Sequence, residues 1–376
     1  MFFTKKRFIF SAIIVAIVAI VAVSVLSNNG SVKKTDVKIG VILPLSGDLA
    51  SVGEDVAKGV RLFAQNHNDG KFIIEDDGGE SKKSINAMRK LVNANSVGIF
   101  LGPLGPISSE AVYSSQTETE KNVFVFIAMS MCADQFKSYK NMICNYPSPY
   151  FQLRETYRYP ASLGKKNFYA ILANDTLGES FLQMLGAVSK ELSLNFIGSE
   201  KINVNDLEFR TIAQKAIQGN PEFITIATAN QPANIKVVKA IKEKGYKGMI
   251  LSGGDFEEKM VKEFRDVLDG VYMAGQAKLD YGSDFVNSYS QKYGGSPNLY
   301  EAFGYVWGDI LYELIKTNPK RQFSADEIMD NVNSRSGELA IRGMKFDKTK
   351  REIKFPMQVF RVENGNLKSV FVSSGE

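Results

Sequence analysis

The chain has 376 residues, 44% of them hydrophobic and 23% charged, with a formal net charge of +5. That length exceeds what a single hydrophobic core usually serves, so two lobes are expected, and the composition excludes wholesale disorder. Setting aside Lys5, Lys6 and Arg7, 43 basic residues face 41 acidic ones, a balance that excludes nucleic acid as a partner.

Behind those three basic residues, positions 8–26 carry no charge. Residues 1–27 therefore read as a signal peptide cut near Ser27, or as an N-terminal membrane anchor; either way the body is exported. A polar linker follows at 28–36. Residues 39–43, IGVIL, read as a strand buried on both faces and ended by Pro44. Ser46-Gly47 and Gly53 form a loop, and from Glu54 the spacing of Val56, Gly59, Val60, Leu62 and Phe63 predicts a helix. A strand ending at Asp76-Asp77, a helix, and a strand closing at Gly102-Pro103 come next. A further helix begins near Ser108, and the strand NVFVFIAMS ends at Met129-Ser130-Met131. The prolines of NYPSPYFQ (145–152) predict an extended crossing between lobes.

From Asn167 strands and helices alternate strictly. Strands at 168–175, 196–202, 223–228, 248–254 and 271–277 are separated by helices at 176–192, up to Gly219, at 232–246 and at 255–270. This predicts a parallel sheet covered on both faces. After Tyr281 two helices are split by Gly294-Gly295 and Pro297, and the C-terminal stretch alternates around an Asn364-Gly365 turn that suits a hairpin.

Several of these motifs, in this order, carry a likeness. The PLSG…G…KG pattern of the first strand, loop and helix, the paired aspartates and the acid-phenylalanine signature at 206–209 resemble the type I periplasmic solute-binding proteins of ABC importers. The resemblance is to their branched-chain amino-acid-binding group and runs from Val37 to the C-terminus. It implies an α/β fold of two doubly wound parallel-sheet lobes joined by a three-strand hinge. The N-terminal lobe would hold 37–149 plus 277–353, and the C-terminal lobe 150–276 plus 354–376. It also implies a monomer, without a cofactor, that closes on a small polar ligand such as an amino acid and docks on ABC permease subunits in the membrane. The alternative is a membrane-tethered sensing subunit of the same fold.

The family's contact positions transfer residue by residue. Ser46 lies in the first loop. The family's key serine falls near Pro106, so Ser108 or Ser109 would serve instead, or merely cap the helix. Ser130 is the main first-lobe contact, and Cys132 stands where a threonine is usual. In the second lobe Leu177 replaces an aromatic residue and Asn230 stands where a tyrosine or other contact would lie. Asp255, offset by one from a glutamate, would pair with an ammonium or cap a helix. The scaffold is thus matched better than the amino-acid reader.

Cys132 and Cys144 read as one disulfide in an exported chain, or as two buried thiols. A single histidine, His67, read as a surface residue, leaves no ligand set for a metal. Asp76-Asp77 reads as a strand-end turn, and Tyr300, Tyr305, Trp307 and Tyr312 mostly as core. The chain contains no GxSxG, HExxH or CxxC, and the Gly270–Gly275 spacing has Gln276 where a P-loop needs lysine, so an enzyme is not expected.

Overall fold

In chain order the first half runs β1 (Ile39–Leu43), α1 (Ala50–Asn66), β2 (Phe72–Asp76), α2 (Ser81–Asn95), β3 (Ile99–Leu104), α3 (Pro106–Ser114), α4 (Glu118–Lys121), β4 (Val125–Met131) and β5 (Met142–Tyr146). Next come α5 (Pro149–Ser162), β6 (Asn167–Ala173), α6 (Thr176–Leu192), β7 (Asn195–Ile202), α7 (Arg210–Gln218), β8 (Phe223–Ala227), α8 (Gln231–Glu243), β9 (Met249–Ser252), α9 (Glu258–Glu263), α10 (Arg265–Leu268) and β10 (Tyr272–Gln276). The chain then continues through α11 (Ser283–Tyr293), α12 (Leu299–Thr317), α13 (Ala325–Ser334), β11 (Lys345–Asp347), β12 (Glu352–Lys354), β13 (Met357–Glu363) and β14 (Asn366–Val372). This computed structural model describes residues 38–375 except 68–70, 96, 132–135, 137, 229, 253–257, 277–280, 318–322 and 350. The signal or anchor segment at 1–27 and the linker at 28–36 lie outside the described residues. Among those described, no helix is long and apolar enough to cross a membrane.

Two seven-stranded sheets result, ordered β11-β12-β5-β4-β3-β1-β2 and β14-β13-β10-β9-β8-β6-β7. Their centres are parallel, as the alternation predicts. Each becomes mixed at one edge, where β11 pairs antiparallel with β12, and β10, β13 and β14 pair antiparallel in turn. Both sheets are covered on both faces. In β1, Ile39, Val41 and Leu43 pack toward α1 and α12, while Ile42 joins Met88 and Leu91 of α2 on the other side. In the second sheet, Ile224 and Ile226 join the α7–α8 face, and Phe223 and Ala227 the α5–α6 face. Period-two burial of this kind fixes the register of each strand.

Three local expectations need correction. The first helix begins at Ala50, not Glu54: Gly53 lies inside its first turn, where an added Cβ would sit 2.0 Å from the Pro44 carbonyl oxygen. That glycine serves close packing and not a loop. The stretch read as an extended crossing is extended only to Ser148; its second half, from Pro149, is helix. Ser148 caps α5 by accepting the Phe151 N–H, and Pro149 occupies its first turn, where no N–H is missed. The expected helix at 255–270 is two short helices, α9 and α10. The terminal hairpin forms as read, with positive φ at both Asn364 and Gly365 as a tight primed turn requires.

The chain passes between the sheets after β5, after β10 and after β12. The first and third passages are tied together: the Ser148 N–H donates to Oε2 of the fully buried Glu352 at 2.7 Å.

Candidate functional site

The carboxyl ends of β3, β4 and β5 in one sheet face those of β8, β9 and β10 in the other, and between them lies a cavity of about 570 Å³. Open α/β sheets bind ligands at this end of their strands. The first sheet's side supplies Leu49 just before α1, Val52 of α1, Leu104, Gly105, Pro106, Met129, Ser130 and Asn145, with Tyr300 and Phe303 of α12. The second side supplies Gln152, Leu153, Thr156 and Tyr157 of α5, Leu177, Phe181 and Met184 of α6, and Thr225, Leu251, Ser252, Ala274 and Gly275 from the strands. Tyr146, Pro149 and Met357, beside the passages between sheets, complete the wall. Leu49 and Leu177 are 43% and 46% exposed and mark the mouth. Tyr157 and Thr225, at 1% and 2%, mark the floor.

Among the described residues no aspartate, glutamate, lysine, arginine or histidine lines this cavity. Hydroxyls, amides and backbone dipoles are what those residues offer a solute; the rest of the wall is apolar. At the floor, the buried Tyr157 hydroxyl faces Thr225 without completing a well-formed hydrogen bond. Burial pushes that hydroxyl far above the usual tyrosine range, and Thr225 draws it back only in part, so it stays protonated.

The residues expected to touch a ligand divide. Ser130 and Leu177 are in the wall. Ser46, Ser108, Ser109 and Asn230 are not among its described lining residues, and each has other partners. The Ser46 hydroxyl donates to Asp76 Oδ2 at 2.7 Å, and the Leu45, Ser46 and Gly78 N–H groups donate to Oδ1. The Ser46 hydroxyl first, and then those N–H groups, hold the Asp76 carboxyl below its ordinary range. Asp77 is fully buried and accepts from the Gly79 N–H and the Ser84 hydroxyl, so both aspartates secure the turn. Ser109 donates back to the Gly105 carbonyl at 2.7 Å, and the Ser108 hydroxyl lies 3.5 Å from that of Ser81. Both are buried inside the first turn of α3. Its N-cap is Gly105, which has no side chain to cap with, so neither serine holds that position. Asn230 accepts the Ala233 N–H at 2.8 Å and caps α8. Asp255 and Cys132 lie outside the described residues; Cys144 is buried in β5.

Asn145, Gln152, Thr156, Tyr157 and Thr225 went unread as site residues, and Tyr300 was assigned to the core. A signal existed for α5: 152, 153, 156 and 157 follow the spacing of one helical face. Pro147, Pro149 and Pro160 obscured the helix that carries it.

Comparison with known proteins agrees with this architecture. A family model described as "Periplasmic binding protein" matches residues 36–366. Leu/Ile/Val-binding protein homolog 7 of Brucella abortus is 20% identical, over 93% of this chain and 95% of the relative. A putative branched-chain amino acid ABC transporter protein of Rhodospirillum rubrum superposes with a TM-score of 0.75 at 17% identity, covering 89% of this chain and all of that one. The substrate-binding protein LivJ of Streptococcus pneumoniae, solved with isoleucine, gives 0.62 at 18% identity, covering 89% of this chain and 99% of that one.

Proposed function

The chain belongs to the periplasmic binding protein family, and on that premise we propose that it is the extracytoplasmic solute-binding component of an ABC importer. It takes an amino acid or a related small solute between its lobes, closes on it, and presents it to permease subunits in the membrane. The observation that carries this reading is the cavity between the carboxyl ends of two sheets whose connections lie side by side. Closure there removes solute from water using contacts from both halves, so binding energy drives the hinge. The reading assigns the protein no chemical step and no cofactor.

The lobes are 37–149 with 277–353 and 150–276 with 354–376. The division is supported by the two sheets and by the packing of α12 on α1 within the first. Export fits both the family and the sequence of residues 1–27. We assign Cys132 and Cys144 to one disulfide, a pairing supported by the lack of any free cysteine among the described residues. Ser130 and Leu177 are the predicted contacts we retain for the ligand, from opposite sides of the cleft. Asp255 stays assigned as the partner of an ammonium, on the resemblance alone.

A thermal-shift screen of the body from residue 32, against amino acids, amides and short organic acids, tests the reading. A ligand at 100-fold excess over its dissociation constant stabilises the fold by about 2.7 kcal/mol. It should also reduce the radius of gyration in small-angle scattering. A screen in which no compound of any class shifts the melting point, with scattering indifferent to all of them, overturns the proposal.

A further inference from the structure

The floor of the cavity carries information about what the solute looks like. This inference rests on the solute-binding reading and sharpens it. Tyr157 sits on α5 against Phe168 and Phe223, and its hydroxyl is buried without a well-formed hydrogen bond. Thr225, in the middle of β8, is the hydroxyl facing it. A buried polar group left in this state costs free energy that a partner would return. Leu153, Leu251, Phe181 and Met184 give the same cavity apolar wall and Ala274 adds little bulk, while Gln152, Thr156 and Ser252 are its neutral polar groups on the same elements. No described lining residue is charged, so none of the described residues would answer a carboxylate or ammonium stripped of its hydration at the floor.

We propose that the solute enters with an apolar, ring-sized body whose inner end bears a neutral hydroxyl, and that this hydroxyl completes the hydrogen bonding of Tyr157 and Thr225. Any charged head group stays at the mouth. The ligand class is a phenolic amino acid or phenolic acid, not a plain branched aliphatic one. Both floor hydroxyls can donate and accept, so the phenol can answer each in turn. A site with buried polar groups discriminates strongly against an analogue that leaves them unpaired.

Matched probes test this by calorimetry on the exported body: L-tyrosine against L-phenylalanine, 4-hydroxyphenylacetate against phenylacetate, and 4-carboxyphenylacetate as the member with a charged inner end. The hydroxylated member of each pair should bind at least tenfold tighter, and the charged-tip probe weakest. Tyr157→Phe should shrink the tenfold gap to about twofold while the ligand-free variant melts no lower than the parent. Thr225→Val supplies the same comparison should Tyr157→Phe fail to fold. Equal affinity within the pairs, tighter binding of the charged tip, a gap that survives both substitutions, or no binding by any probe at millimolar concentration overturns the inference. If L-leucine or another solute of the broader screen binds while the pairs show no preference, this inference falls and the solute-binding reading stands. If nothing in that screen binds, the reading itself falls.

Discussion

At the scale of single residues, the loop after β1 shows how polar side chains divide between structure and recognition. Asp76 gathers the Ser46 hydroxyl and three N–H groups, and these hold its carboxyl below the ordinary carboxylate range. The folded state therefore prefers the ionised form. This contribution is complete above the unfolded value of about 3.9 and is lost as pH falls below it, through the lowered folded value. Amide exchange at Leu45, Ser46 and Gly78 should be slow at neutral pH, faster in Asp76→Asn, and the difference between the two proteins should shrink as acid protonates the carboxyl. Equal protection at neutral pH would show that the carboxylate does not secure the loop. The same residues explain why the candidate site was only partly legible. Ser46, Ser109 and Asn230 are hydroxyl and amide residues beside helix starts, where strapping a loop, back-bonding a carbonyl and meeting a ligand draw on the same chemistry. Which role each takes depends on where the helix begins, to within one residue. Ser130 and Leu177, placed by the resemblance, fall in the cavity wall at a strand end and just inside a capped helix start; Asp175, accepting the Gly178 N–H, starts α6 as read.

At the scale of elements, α1 and α12 bring backbone against backbone at two glycines. A Cβ on Gly59 would lie 2.0 Å from the Glu301 carbonyl oxygen, and one on Gly304 would lie 2.0 Å from that of Val56. The obstacles are backbone and cannot swing aside. Alanine at either position should force the helices apart and cost about 1–3 kcal/mol, seen as a lower urea midpoint with an unchanged slope. The double variant should cost less than the sum, because one separation relieves both clashes. Full additivity would mean that the two glycines act at independent contacts. Most elements were legible for a physical reason: runs such as IGVIL are bounded by proline or glycine, and α6 and α8 have polar caps. The helix α5 was not, because Pro149 and Pro160 suggest interruption. Pro149 stands where a missing N–H costs nothing and Pro160 lies in the last turn. Gly53 misled in the opposite direction, a packing glycine that resembles a loop glycine. One unread helix concealed Gln152, Thr156 and Tyr157, which form much of the inner wall.

At the scale of the molecule, neither half is built from one continuous stretch. The second sheet takes its edge from β13 and β14, and Val359 and Val362 of β13 face its two opposite cores. A chain ended at Lys354 should keep the first half's cooperative unfolding and lose the second's, resolved by exchange protection in β6 and β8. Retained protection there would show that the last strands are dispensable. The intact arrangement has a consequence for how the molecule is made. A ribosome delivers β12 and the closing hairpin after every other described strand, so both sheets are completed late. Until then neither sheet has all its strands, and the order of the strands itself keeps both halves of the nascent polypeptide open.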